Sequence, residues 1–242
     1  MIKPEQHSAE SKKSQVANMF NKIADSYDFL NHALSFGMDF YWRKKAISKL
    51  TNNPKRILDV GTGTADFAIA ATKLEKAEII GIDISEKMLE IGEKKVKSKG
   101  LQNKIQLQLA DSENLPFEND CFDAITAGFG VRNFENLEKG LLEMNRVLKP
   151  GGQVVILETA VPQTLLSKIG YFLHTNILIP FLGLIIAKNS NAYKYLSKSA
   201  KNFPHGNKFK KILQDTGFED IEIRSETFGV VNIYSGLKQI NN

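Results

Sequence analysis

The densest chemical signal in the chain is the run Asp59-Val60-Gly61-Thr62-Gly63-Thr64-Ala65-Asp66. It follows a short aliphatic stretch and precedes a helical one. Glycines at 61 and 63 let the backbone turn sharply and approach a ligand with no Cβ in the way. A helix starting at such a turn points free N–H groups at that ligand. A dinucleotide fingerprint would need a third glycine at position 66, where a pyrophosphate meets the helix start. Position 66 is aspartate, which repels a pyrophosphate and suits a ligand carrying a sulfonium and an ammonium. The turn therefore speaks against NAD and for S-adenosylmethionine. Asp83 ends the next aliphatic stretch, about 20 residues after Gly61, where a carboxylate takes both ribose hydroxyls. The competing role for Asp83 is a helix cap, but Ser85 already suits that. After a third stretch come Asp111 and Ser112, where a side chain or backbone N–H can read an adenine edge. The expected cofactor contacts are Asp59, Gly61, Gly63, Thr64, Asp83, Asp111 and Ser112.

These residues need a frame that brings strand ends together. Apolar spacing predicts helices over 14–34 and 39–50, with Trp42, Ala46 and Leu50 on one face of the second. Strands are expected over 56–60, 78–82, 104–110, 123–127 and 153–158. Helices from about Thr64, over 85–97 and over 137–148 separate them, the last ending at Lys149-Pro150-Gly151-Gly152. A helix over 207–216 and an antiparallel hairpin over 218–224 and 227–236 close the chain. The pattern is α/β: a Rossmann-like, class I methyltransferase layout with a mostly parallel seven-stranded sheet, N-terminal helices and a helical insertion after the fifth strand. Residues 1–14 read as a polar arm, 15–242 as one domain, and 162–201 as a lid within it.

Composition narrows the field. With 242 residues, 42% hydrophobic and 24% charged, the chain suits one α/β domain. A single cysteine, Cys121, excludes an internal disulfide, and four scattered histidines show no ligand spacing, so no metal is expected. The net charge of +5 fits a basic face towards anionic lipid or nucleic acid, or an ordinary surface. The N-terminal residues lack a signal-like apolar run, which implies a cytoplasmic protein. Ile169 to Ala187 approaches the length of a membrane span, but His174, Thr175, Asn176 and Pro180 interrupt it. Two shorter helices joined near Pro180 fit better. They would line a greasy pocket, touch a membrane surface, cover the core or form a homodimer interface.

Nucleic-acid amine methylation usually relies on an Asn/Asp-Pro-Pro-aromatic loop after the fourth strand. Here that place holds Gly128-Phe129-Gly130-Val131-Arg132-Asn133, and Cys121 precedes the strand instead of facing the ligand. No nucleic-acid partner is expected. The chain resembles the ubiquinone/menaquinone biosynthesis C-methyltransferases from about Val16 onward. Tyr27-Asp28-Phe29-Leu30-Asn31, Leu34-Ser35 and Trp42 are similar to one signature of that family. Arg146-Val147-Leu148-Lys149-Pro150-Gly151-Gly152, running on to Glu158, is similar to a second. The loop around Phe129 and the stretch Ser199-Ala200-Lys201-Asn202-Phe203-Pro204 also match. Leu30, Asp39 and Ala160 depart from a usual methionine, histidine and serine.

The resemblance implies methyl transfer from S-adenosylmethionine to a ring carbon of a polyprenylated quinol. The Gly-Thr-Ala-Asp form of the turn resembles the menaquinone branch, so demethylmenaquinol is the first expected substrate. A methoxy-polyprenyl-benzoquinol or another small acceptor is the alternative, and a non-catalytic binding module is a different class of answer. Carried over from the family, Arg132, Asn133 and Asp111 are the catalytic candidates, with Tyr27, Phe129 and Arg132 at the substrate. Arg132 suits phenolate stabilisation, because a guanidinium with pKa above 12 makes a poor base. Its competing role is an ion pair with Glu135. Asp111, or a water it orients, would accept a proton. Such a substrate gives the 165–187 stretch a purpose, since each buried CH₂ contributes about 0.8 kcal/mol, and implies peripheral membrane contact.

Overall fold

A computed structural model describes residues 2–162 and 190–240. Two helices come first, α1 (Lys12–Leu34) and α2 (Met38–Ile47). Alternating strands and helices follow: β1 (Arg56–Val60), α3 (Asp66–Ala71), β2 (Glu78–Asp83), α4 (Glu86–Ser98), β3 (Ile105–Leu109) and β4 (Phe122–Gly128). Then come α5 (Leu137–Val147), β5 (Leu148–Thr159), α6 (Ser190–Asn202), α7 (Asn207–Asp215), β6 (Phe218–Glu226) and β7 (Val231–Lys238). The seven strands lie in the order β3-β2-β1-β4-β5-β7-β6. The first five run parallel and β7 is antiparallel to both of its neighbours. The strand order reverses between β1 and β4, which opens a crevice at their C-terminal ends.

The strands are aliphatic on both faces because both are covered. Leu58, Val60, Ile125 and Ile156 pack on one side with Leu141, Met144, Phe209 and Tyr234. Ile57, Ile79, Val155 and Leu157 pack on the other with Trp42, Ala46, Phe67 and Ala68. A third cluster joins α1 through Val16, Met19, Ile23 and Leu30 to Met88 of α4 and Tyr193 and Tyr195 of α6.

Several boundaries differ from the sequence reading. Helix α1 begins at Lys12 because the Ser11 side chain caps it, accepting the Ser14 N–H. The Lys149–Gly152 turn is absorbed into β5, whose first residue Leu148 pairs with Phe122. The last strand starts at Val231 because Thr227 and Phe228 adopt φ of 47° and 57°, which no strand tolerates. The expected cover over 165–187, with its turn near Pro180, lies outside the described residues. Among the described residues no helix is long and apolar enough to cross a membrane.

Helix α4 approaches the glycine turn closely at Gly92. A Cβ there would stand 2.8 Å from a Leu107 methyl and 3.3 Å from the Thr64 carbonyl carbon. Ala is favoured over Gly in a helix by about 1 kcal/mol, whereas overpacking costs roughly 1–3 kcal/mol. Gly92→Ala should therefore lower the denaturation midpoint despite the better helix former. A raised midpoint would show that α4 is free to withdraw from the turn.

Candidate active site

The glycine turn is fixed from below. Asp59 is fully buried, and its two carboxylate oxygens accept the Thr62 hydroxyl at 2.6 Å and the Thr126 hydroxyl at 2.7 Å. Burial outweighs those bonds and pushes its pKa up to about 6. The Thr62 N–H reaches the Ile82 carbonyl at 2.8 Å, joining the turn to β2. Gly61 and Gly63 hold φ of 68° and 56°, and a Cβ on Gly63 would meet nothing within 4 Å. The backbone there faces open space, as a close-bound ligand requires.

That space is a cleft open to solvent and bordered by Gly61, Gly63, Asp83, Asp111, Ser112, Phe129, Asn133, Glu135 and the α1 residues Lys13, Val16, Phe20 and Tyr27. Asp83 is positioned by backbone N–H groups, Gly63 on one oxygen and Ser85 on the other, both at 2.9 Å. Ser85 itself caps α4 through its side chain, so Asp83 is not needed for that job. Burial raises the Asp83 pKa. Each carboxylate oxygen can accept a second bond, which leaves room for a diol. The Asn133 carbonyl oxygen is buried and has no partner among the described residues. An unmatched acceptor on this wall suits an ammonium donor. The cleft thus fits S-adenosylmethionine, and Asp83, Asp111 and Ser112 all border it.

Three residues expected at the ligand lie away from the cleft. The Asp59 and Thr64 side chains do not border the cleft. Asp59 serves the turn from beneath, and the Thr64 hydroxyl turns away to Asp28 and Lys95. Asp66, expected near the ligand's positive end, also lies elsewhere. Ala65 takes a left-handed φ of 69°, so α3 starts with Asp66 facing Lys95 and Arg43. Asp28, His32 and Asp66 bring three potential metal ligands within 4.8 Å of one another. The Lys95 ammonium bonds both carboxylates and already supplies the cation.

A second cavity, about 360 Å³, adjoins the first. Leu34, Phe36, Met38, Trp42, Tyr193, Leu196, Ala200, Val230 and Val231 make it largely apolar, with Arg132, Arg43 and Asp39 as its charged groups. Tyr27 and Phe129 border both cavities. Phe129 stands at the junction with φ of 57°, its ring edge towards Trp42 and the Arg43 guanidinium 5.9 Å above it. Arg132 donates to the Phe129 carbonyl and to Glu158, each at 2.6 Å. Its partner is Glu158, not Glu135, which accepts the Lys12 N–H instead. Burial alone would lower the Arg132 pKa, but the adjacent Glu158 carboxylate holds it above its ordinary value.

The three catalytic candidates are therefore divided. Arg132 faces the apolar cavity, while Asp111 and Asn133 face the cleft. Asp111 pairs there with Lys13 and accepts the Glu113 N–H. Four residues that sequence reasoning missed complete the arrangement. Lys12 donates to the Arg132 and Phe134 carbonyls, Lys13 holds Asp111, Glu158 anchors Arg132, and Arg43 links Asp39 to the acceptor cavity. Asp39, at the departure from the usual histidine, also accepts His32 Nδ1 at 2.8 Å and Ser35 at 2.7 Å.

Residues 7–238 match the ubiE/COQ5 methyltransferase family. A demethylmenaquinone methyltransferase of Bacteroides fragilis is 46% identical over 240 residues, spanning 98% of this chain and 97% of that protein. A ubiquinone/menaquinone biosynthesis C-methyltransferase of Geotalea daltonii is 43% identical over 230 residues, 94% of this chain and 97% of that protein. Among solved structures, a methyltransferase of Thermotoga maritima dependent on S-adenosylmethionine shares the fold at a TM-score of 0.66. It is 19% identical and covers 92% of this chain and 99% of its own.

Two outcomes follow from this geometry. A carboxyl raised from 3.8 to about 6 contributes stability that is complete below pH 4 and lost as pH rises through 6. Asp59→Asn removes that loss. Denaturant curves should show the variant gaining on the parent by on the order of 3 kcal/mol between pH 4 and 7. A gap that ignores pH would mean Asp59 is not the titrating group. Asp83→Ala should weaken S-adenosylmethionine binding roughly tenfold or more, about one charged hydrogen bond. Unchanged affinity by calorimetry would remove Asp83 from the ribose site.

Proposed function

The chain belongs to the ubiE/COQ5 methyltransferase family, and from that membership and its paired cavities we propose that it methylates demethylmenaquinol to menaquinol. The observation that carries the reading is the junction. A polar cleft suited to S-adenosylmethionine and a large apolar cavity meet at Tyr27 and Phe129, where a donor in one faces an acceptor in the other. The naphthoquinol is favoured over the benzoquinol by the Gly-Thr-Ala-Asp turn and by the activity named for the Bacteroides relative. The protein is cytoplasmic and works as a peripheral partner of the membrane that stores its substrate.

S-adenosylmethionine supplies an electrophilic methyl group when bound. The chain's own task is to present a nucleophilic ring carbon to it. A quinol carbon becomes nucleophilic as its hydroxyl gives a proton to solvent at the cavity mouth, and a guanidinium in an apolar cavity stabilises the resulting phenolate. As the carbon takes the methyl, S-adenosylhomocysteine leaves, and the displaced ring proton follows to solvent and restores aromaticity. Arg132 is held for that role by Glu158, so its charge is fixed and its direction set. Arg43, over the Phe129 ring, places a second guanidinium beside the same cavity, suited to the other quinol oxygen. Tyr27 remains protonated, because burial raises its pKa even against the pull of Arg132. It therefore positions and does not accept the proton. Asp111 serves the cofactor from across the junction. The apolar walls exclude water that would otherwise compete for the methyl.

The deciding experiment incubates the protein with methyl-labelled S-adenosylmethionine and demethylmenaquinol under reducing conditions. Mass spectrometry should place the label on a ring carbon. Label on oxygen, or none at all, would defeat the assignment. Arg132→Ala should lower kcat roughly 100-fold or more, the usual effect of losing one preorganised oxyanion donor. Its cofactor affinity should stay near normal. Full turnover in that variant would sink the phenolate role.

A further inference from the structure

A quinol and the quinone it oxidises to have nearly the same shape and differ chiefly in their hydrogen bonding. A hydroxyl donates one bond and accepts others, whereas a carbonyl only accepts. Arg132 and Arg43 are donors only, so neither guanidinium separates the two forms. Asn31 and Ser197 can turn a donor or an acceptor to a ligand and suit both. Reading the reduced form takes a group that accepts and cannot donate. Among the described residues that border the acceptor cavity, Asp39 is the only carboxylate.

Asp39 lies in the first turn of α2 and is buried. Its Oδ2 atom is taken twice, by Arg43 and by His32 Nδ1 at 2.8 Å. Among the described residues its Oδ1 atom has a single partner, the Ser35 hydroxyl at 2.7 Å. A carboxylate oxygen accepts two bonds, so Oδ1 has one place left. Ser35 can also yield its own place, because its hydroxyl lies 3.2 Å from the His32 carbonyl. Burial alone would raise the Asp39 pKa, but Ser35, Arg43 and His32 hold it below the ordinary carboxylate value, so the group remains an acceptor. Arg43 borders the same cavity. The ion pair therefore sets a donor beside an acceptor, which is the complement of one hydroxyl group.

We propose that Asp39, paired with Arg43, reads the oxidation state of the acceptor: Oδ1 accepts the hydrogen of the quinol hydroxyl that stays protonated, and the same atom turns the quinone away. The proposal rests on the quinol acceptor of the preceding section and names the group that selects its reduced form. The oxygen that loses its proton faces Arg132, and the one that keeps it faces Asp39 and Arg43. In the quinone this second oxygen carries no hydrogen. Seating it sets a carboxylate lone pair against a carbonyl lone pair in an apolar wall. A site built to bond a hydroxyl rejects an analogue without one for that reason. The selection serves the reaction, since only the reduced ring has a carbon that attacks the methyl group. A seated quinone occupies the cavity and gives no product.

The test is equilibrium binding of a short-tailed demethylmenaquinone to the full chain, either oxidised or kept reduced in the absence of oxygen. S-adenosylhomocysteine is present so that no methyl moves. Trp42, the single tryptophan, borders the cavity, and its fluorescence follows occupancy. The parent should bind the reduced form roughly 100-fold more tightly, the contribution of one hydrogen bond to a charged group. Asp39→Asn, whose amide can donate to a carbonyl, should admit the quinone and cut that ratio below about tenfold. Ser35→Ala removes the other donor to Oδ1 and should widen the ratio severalfold, which decides the matter if Asp39→Asn does not fold. Equal affinities in the parent overturn the proposal. So does an unchanged ratio in Ser35→Ala, or in an Asp39→Asn protein that still binds S-adenosylmethionine. A ratio that ignores both substitutions while the parent methylates the quinol ends this inference alone. A parent that binds neither form, or leaves the quinol unmethylated, ends the functional reading beneath it.

Discussion

A carboxylate that the protein never shows to solvent governs the site. Asp59 lies under the glycine turn with a hydroxyl from Thr62 on one oxygen and from Thr126 on the other. One bond belongs to the turn and the other to β4, so the strand that brings Phe129 and Arg132 is tied to the strand that brings Gly61 and Gly63. Desolvating a carboxylate is unfavourable, and the raised pKa records that cost. What the fold gains is a turn whose backbone is fixed in place before any ligand arrives, which is how an active site avoids reorganising during reaction.

From that anchor the chemistry divides into a polar half and an apolar half. The cleft is built from backbone amides and short acids at the strand ends. The acceptor cavity is built from helices α1, α2 and α6, with two guanidiniums as its charged donors. The division suits the reaction, since a cationic donor and a greasy acceptor need opposite surroundings. Arg132 can stay charged in an apolar wall because Glu158 is buried beside it, and a buried cation without such a partner would be prohibitively costly.

What was legible in the sequence was local. The glycine turn, Asp83 after its strand and the Ser85 cap are set by neighbours a few residues away, and all three are found as read. Arg132 was visible only through a family likeness, and its partner Glu158 sits 26 positions further along. Lys13 reaches Asp111 across 98 positions, and a lysine in a polar stretch looks like any solvated charge. Thr64 and Asp66 were misplaced because Ala65 turns the chain left-handed, which alanine does not advertise. The hairpin start was misread for a similar reason. Thr227 and Phe228 have the composition of a strand and the backbone of a turn.

Helix α1 spans about 35 Å at 1.5 Å per residue and attends to both guests. Its first turn places Lys12 and Lys13 on the loops around the cleft, and its later turns place Tyr27, Asn31 and Leu34 against the apolar cavity. A stiff rod cannot release one end without disturbing the other. The two cavities therefore share one wall, and a shift of α1 reshapes both.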